Sequence, residues 1–358
     1  MSKPQASTRE DILASIASVC ADAGLEGGAA DFVHRYFKHV PIDELTSRDP
    51  DIYAGAARSH LELARTRPPG VSNVRVYNPS TETDGWTNAR TIIQIVTDDM
   101  PFLVDSVTGS LVEAGVDIHL VVHPQLVVSR DAMGVLQGIA ARDVSSASKG
   151  GDLNDLAESW MTLSIDRQGD EQRRAEFEAM VRQVLEDVRQ AVEDWPKMRS
   201  KCLVLAAELE GSPPKGIDPA EVTSSTNFLR WMADNHFTFL GYRDYTLRQL
   251  EGGEVIEPVV GSGLGLLRSD PQAEAEPDYL TAQASEKAHE SNVLVLTKAN
   301  SKSTVHRVIH LDYVGVKAYD AQGAVVGERR FLGLYASTAY TESVLRVPLV
   351  AEKVRAVL

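Results

Sequence analysis

Thr91-Ile-Ile-Gln-Ile-Val-Thr97, then Asp98-Asp99-Met-Pro101, then Phe102-Leu-Val-Asp-Ser106, is the stretch whose reading decides the fold. Six of the first seven residues are β-branched, which predicts a strand buried on both faces. The acidic pair and the proline break it. Pro101 suits the first turn of a helix, where its missing N–H does no harm, and either aspartate is placed to cap that helix. Phe102, Leu103, Val107, Leu111 and Val112 fall at helical spacing, and Gly115 closes the helix.

Downstream, Val116 to Arg130 reads as a long strand. Asp131 to Gly134 reads as a hairpin turn into Val135 to Arg142. A Ser- and Gly-rich loop covers Val144 to Asp152, Ser159 to Asp166 is another strand, and Asp170 to Trp195 is a long amphipathic helix. Pro196 is expected to break or kink it, with a further helical stretch to Leu209. Val74 to Val76 is a short strand upstream. Before that, residues 1–70 are helical: Ile12, Leu13, Ile16, Val19 and Cys20 mark one helix, with Thr8 as N-cap and Asp11 three residues on. Phe32 to Phe37 mark a second helix and Pro50 to Arg65 a third.

Residues 71–210 thus form one mixed domain, and the Pro- and Gly-rich run 211–216 is a linker. Residues 217–340 form another domain. It has a helix from Glu221 to Asn235, strands Phe237 to Leu247 and Glu254 to Val260, and an irregular stretch from Ser262 to Ser291. Three more strands follow, Asn292 to Lys298, Thr304 to Tyr319 and Ala324 to Tyr335, the last two joined by the turn Asp320 to Gly323. Residues 341–358 stay apolar to the end and are read as the start of a helical connection to further domains.

The class is therefore α+β, and 358 residues suit two or three domains. A formal net charge of −15 argues against nucleic acid as a partner, and the short basic run at Arg329-Arg330 does not change that. No apolar run reaches the roughly 20 residues of a membrane helix, and Met1 to Asp11 lacks a signal-peptide core. With only Cys20 and Cys202, neither a disulfide scaffold nor a cysteine zinc site is expected, and a cytoplasmic setting is.

His119/His123 and His306/His310 share the spacing H-x3-H. Both pairs fall in expected strands, where i and i+4 stand about 13 Å apart, too far to share a zinc ion. Gly261-Ser-Gly263-Leu-Gly265 invites a dinucleotide-binding reading, but Leu266 stands where the fingerprint needs glycine and Pro271 follows. Lys298 to Ser303 is read as a solvated turn. Asp98-Asp99 is read first as a helix cap. No catalytic, cofactor-binding or metal residue is assigned.

The order from Thr91 to Trp195 resembles the ferredoxin-like arrangement of ACT domains. Asp99-Met-Pro101-Phe102-Leu103-Val104 stands against that family's D-x-P-G-L-L, and Val116-Asp117-Ile118 against its next strand opening. Phe102 replaces the glycine that in that family lets an amino-acid effector approach the backbone. The resemblance points to Asp98, Asp99, Pro101, Phe102 and Leu103 as an effector site. Residues 217–340 resemble a PAS domain by strand order. The whole chain resembles the N-terminal segment of the large bacterial NAD-dependent glutamate dehydrogenases, through Asp98 to Ser106, Val184 to Arg189, Phe228 to Tyr242, Gly261 to Arg268, Leu296 to Asn300 and Gly327 to Gly333. That resemblance implies a regulatory, homo-oligomerising segment with an amino-acid effector, lacking the catalytic region, in an enzyme that uses NAD. The alternative is a stand-alone amino-acid-sensing or protein-interaction module.

Overall fold

The computed structural model describes residues 8–22, 29–140, 155–268, 279–351 and 354. The chain divides into two compact units, Met1–Leu185 and Glu186–Leu358.

In the first unit, helices α1 (Arg9–Asp22), α2 (Ala29–Tyr36), α3 (Ile42–Thr46) and α4 (Pro50–Ala64) precede the sheet. α1 starts where expected, with a reciprocal cap: Asp11 N–H donates to Thr8 Oγ1 (3.2 Å), and Thr8 N–H donates to Asp11 Oδ2 (2.9 Å). The strands are β1 (Asn73–Tyr77), β2 (Thr91–Asp98), β3 (Ile118–Val122), β4 (Gln125–Arg130), β5 (Leu136–Ile139) and β6 (Asp155–Ile165). Between them lie α5 (Thr81–Asp84) and α6 (Leu103–Glu113), and α7 (Glu171–Gly211) follows.

The sheet order is β1-β2-β6-β4-β5, with β3 also against β6, and every pairing is antiparallel. From β2 to α7 this is the βαββα part of a ferredoxin-like fold, with a hairpin strand, β5, added. The strand beside β2, which would follow the second helix, comes instead from β1, ahead of the first. Apolar side chains of α1, α2 and α4 form one core with Val96, Val122, Leu126, Val128 and Trp160 on one face. Strand alternation puts Ile93, Ile95, Met161, Leu163 and Ile165, all buried, on the other. Hence β2 and β6 are buried almost end to end.

In the second unit, α7 continues through Pro196 to Gly211, so of the break or kink expected there the break does not occur. Met198, Cys202, Leu205 and Ala206 pack there with α8 (Pro219–Trp231) against the second sheet. A π-turn, Met232–His236, leads into β7 (Phe237–Leu250). Then come β8 (Gly253–Pro258), β9 (Leu264–Gly265), α9 (Ala282–His289), β10 (Leu294–Lys302), β11 (His310–Tyr319), β12 (Val325–Tyr335) and α10 (Ser337–Thr341). The order is β10-β11-β12-β7-β8, with β9 against β7.

Other departures from the sequence reading have local causes. The strand expected over Val116 to Arg130 is split at His123-Pro124, because Pro124 has no N–H for the ladder and only its carbonyl is used, accepting from Trp160 N–H (3.0 Å). Lys298 to Lys302 belongs to β10 and is not a turn. The chain turns at Ser303–Ile309, where His306 has φ +69°, so His306 and His310 do not share a strand. The polar loop 144–152 lies outside the described residues.

Candidate functional site

The turn nominated from sequence is well defined. Asp98 ends β2 and accepts from Arg67 Nη2 (2.7 Å). Asp99 N–H donates to Ala157 O (2.9 Å), and its Oδ1 accepts from Ser159 Oγ (2.6 Å) and Gln125 Nε2 (2.9 Å). The cap position of α6 falls on Phe102, which has no side-chain capping bond. The expected capping by Asp98 or Asp99 is thereby replaced by ties to the sheet and its neighbours, and Pro101 precedes the helix instead of opening it. Leu103, the first residue of α6, is buried.

Phe102 has φ 72° and ψ −3°. This is the left-handed region that glycine occupies freely and that costs other residues about 1–2 kcal/mol. The backbone therefore takes a conformation that glycine adopts freely, while the side chain is an aromatic ring. Its carbonyl accepts from Ser106 N–H (2.9 Å) and Ser106 Oγ (2.6 Å), which starts the helix.

Asp99 also reaches a cavity. The Ser159 hydroxyl that donates to Asp99 accepts from His123 Nε2 (3.0 Å). His123, His39, Gln125, Tyr36, Val40 and Val121 line a space of about 230 Å³. Burial lowers the His123 pKa; the Asp99 charge opposes this and His39 adds to it. Of the five nominated residues, Asp99 is the one this hydrogen-bond chain links to a cavity.

Two buried networks escaped the sequence reading. Glu158 is fully buried, and its two oxygens accept from Arg67 Nε (2.8 Å), Arg130 Nε (2.6 Å), Arg130 Nη2 (2.9 Å) and Trp160 Nε1 (2.9 Å). Beside it, His60 Nδ1 accepts from Tyr36 OH (2.7 Å), and His60 Nε2 donates to Ile95 O (2.9 Å). Burial pushes the His60 pKa down to about 3, so the ring is neutral. The available signal was Glu158 itself, a charged residue opening a run of buried strand.

The other candidates are structural. His119 pairs with Asp166 (2.7 Å). Among the described residues no group of three or more His, Cys, Asp or Glu is arranged to hold a metal ion. Burial raises the pKa of Cys20 to about 11 and of Cys202 to about 12, so both stay as thiols. The glycine-rich stretch does not fit a dinucleotide. It leads into a two-residue strand and not a helix, a Cβ on Gly263 would meet Leu267 O at 2.1 Å, and one on Gly265 would meet Leu240 O at 2.2 Å. These glycines serve close packing. Asp194 holds the segment, accepting from Gly265 N–H (3.0 Å) and Arg268 Nε (2.8 Å). A larger space of about 480 Å³ lies in the second unit between the end of α7, Pro213-Pro214, Val316 and Arg329.

Residues 32–181 match the family model described as glutamate dehydrogenase, ACT1 domain. The chain is 33% identical over 334 residues to an NAD-specific glutamate dehydrogenase of Halomonas elongata, and 33% identical over 329 residues to that of Pseudomonas aeruginosa. Over nine-tenths of its length the chain is thus similar to NAD-specific glutamate dehydrogenases. Each of these alignments covers 91% of the chain and 20% of the relative. A Mycobacterium tuberculosis protein of the same name is 27% identical over 300 residues, 84% of this chain and 17% of its own length. The chain thus spans about a fifth of the length of these family members. Among the described residues no helix is long and apolar enough to cross a membrane.

Proposed function

We propose that this chain is a regulatory and assembly segment of an NAD-dependent glutamate dehydrogenase. The parent reaction would be L-glutamate, NAD and water to 2-oxoglutarate, ammonia and NADH, catalysed by other parts of the polypeptide in the cytoplasm. The observation that carries this reading is similarity along nine-tenths of the chain to proteins about five times the matched length. It is supported by a glycine-rich stretch that does not fit NAD. The PAS-like reading of the second unit rests on its sheet: numbered within that unit, and leaving out β9, the five strands lie in the order 2-1-5-4-3.

Regulation is placed at the ACT-like unit. The amino-acid effector site at the turn Asp98 to Leu103 would extend into the adjoining cavity, where Asp99 orients Ser159 and thus His123. Assembly through this unit would use an outer strand, and β5 is already tied at its start, where Leu136 N–H donates to Arg65 O (2.8 Å) and Val135 bridges Thr66. β2 is central, and β1's outward groups are taken by α7: Arg182 donates to Ser72 O (3.1 Å) and Val74 O (2.7 Å), and Glu178 accepts from Val76 N–H (3.3 Å). Ile118–Val122 remains as the edge for a second copy.

Calorimetric titration with the common amino acids at millimolar concentration tests the effector site. Heat with at least one of them, lost in Asp99→Ala, is the expected result. Heat unchanged in the variant would move the site elsewhere, and no heat from any amino acid would leave assembly alone.

A further inference from the structure

We propose that β10, the outer strand of the second sheet, is an interface that pairs with β10 of a second copy of this chain about a two-fold axis at Leu296. This does not rest on the ACT-like reading.

The other outer strand of this sheet is already occupied. β8 is covered by the segment after it: Leu280 N–H donates to Glu254 O (2.8 Å), and Val255 bridges Tyr279. β10 is different. Lys317 N–H donates to Val293 O (3.0 Å), and Leu294, Val295 and Leu296 stand opposite Val316, Gly315 and Val314. In an antiparallel ladder the backbone groups alternate in direction. The carbonyl of Val293 and the groups of Val295 and Thr297 therefore face β11, and those of Leu294, Leu296 and Lys298 face away from the sheet. Among the described residues no strand pairs there. Leu296 is 43% exposed, and Thr297, Lys298 and Asn300 are exposed too. A nine-residue strand in this state is a template for another strand.

The sequence selects a copy of itself and sets the register. With the axis at Leu296, Leu296 lies opposite its own copy and Leu294 opposite Lys298. The outward groups then form about six hydrogen bonds, two at each of three paired positions. An axis at Lys298 would put two ammonium groups directly opposite, which is unfavourable. An axis at Leu294 would pair Leu296 with Asn292, which is outside the strand, its N–H donating to Glu290 O (2.9 Å). Lysine on an outer strand normally deters pairing. Here Lys298 Nζ is drawn inward to Asp312 Oδ1 (2.7 Å), so its charge is balanced within the sheet. A closed two-fold contact is also the commonest form of self-association.

The test uses the full chain. In the pairing proposed, the two Leu296 Cα atoms come within about 5.5 Å, a separation that a disulfide spans. Leu296→Cys should form a covalent dimer on mild oxidation, against a silent background because Cys20 and Cys202 are buried. Val295→Cys and Asn300→Cys, which do not meet themselves in this register, should cross-link at least about tenfold less. Leu296→Pro removes an N–H that faces away from the sheet, so the ladder to β11 survives. It should halve the mass measured by sedimentation at ~100 μM while the circular dichroism stays native. Equal cross-linking at all three positions, or a mass unchanged by Leu296→Pro, would overturn the proposal.

Discussion

The two sheets have the same number of strands and handle polar groups differently. In the first, β2 and β6 are buried almost throughout, and charge is enclosed: Glu158 sits at zero exposure between Arg67 and Arg130. In the second, β7 is buried over its first half only, and β10 is mostly exposed. Its buried ions are tied partly to backbone. Lys317 Nζ donates to Lys287 O (3.1 Å) and Glu290 O (2.7 Å) at the end of α9, and Asp194 accepts from Gly265 N–H. A charge network within a sheet fixes its layers against one another. Charges tied to loops fix the loops and leave the sheet's outer strand free. The first unit encloses charge within its sheet, and the second ties charge to loops beside an exposed outer strand.

The largest effect should come from the enclosed charge. Glu158→Ala leaves two guanidiniums buried without their carboxylate, which costs about 3–5 kcal/mol. Lys298→Ala, at the rim of the second sheet, removes a half-exposed pair worth less than about 1 kcal/mol. Urea unfolding of the two variants checks the contrast, and similar losses would remove it.

Acid should separate the units next. His60 binds its proton near pH 3 in the fold and near 6.5 when unfolded. The unfolded chain takes up a proton first as the pH falls. Stability of the first unit therefore drops between about pH 6.5 and 3, by up to about 1.4 kcal/mol per pH unit. Asp194 acts in the same direction but in a lower pH window. Burial alone would raise its pKa, but Arg268, Gly265 N–H and Lys197 outweigh that and hold it at about 2. Its contribution is in place above pH 3.8 and is lost as the pH falls through about 2. Hydrogen exchange at pH 5 should show β2 loosened relative to pH 7 and β7 unchanged, with the difference reduced in His60→Gln. Equal loosening of both sheets would contradict this.

The smallest effect concerns Phe102. Phe102→Ala and Phe102→Gly both remove the ring, and only glycine relieves the left-handed backbone. The glycine variant should be the more stable by about 1 kcal/mol, the reverse of their helix preferences. Thermal unfolding of the pair decides it.

Much of this was legible in the sequence, and the gaps are instructive. Thr91 to Thr97, the cap at Thr8 and the turn Asp320 to Gly323 follow local rules, and local rules were enough. The Asp320 carboxylate accepts from Gln322 N–H and Ala324 N–H, both at 2.9 Å, and Gly323 takes φ 95°. The break allowed for at Pro196 does not occur, because a packed helix tolerates what an isolated one does not. The roles of Asp98 and Asp99 were misjudged because their partners, Arg67, Gln125 and Ser159, are 26 to 60 residues away in the chain. Spacing along a sequence does not report such ties, nor that β1 sits where a final strand would.

The central claim is that this chain regulates and assembles and does no chemistry on glutamate. The direct measurement is NADH formation by the purified chain supplied with NAD and L-glutamate, with NAD binding followed by calorimetry in the same preparation. We expect neither turnover nor binding heat. Glutamate-dependent NADH production by this chain alone would contradict the account.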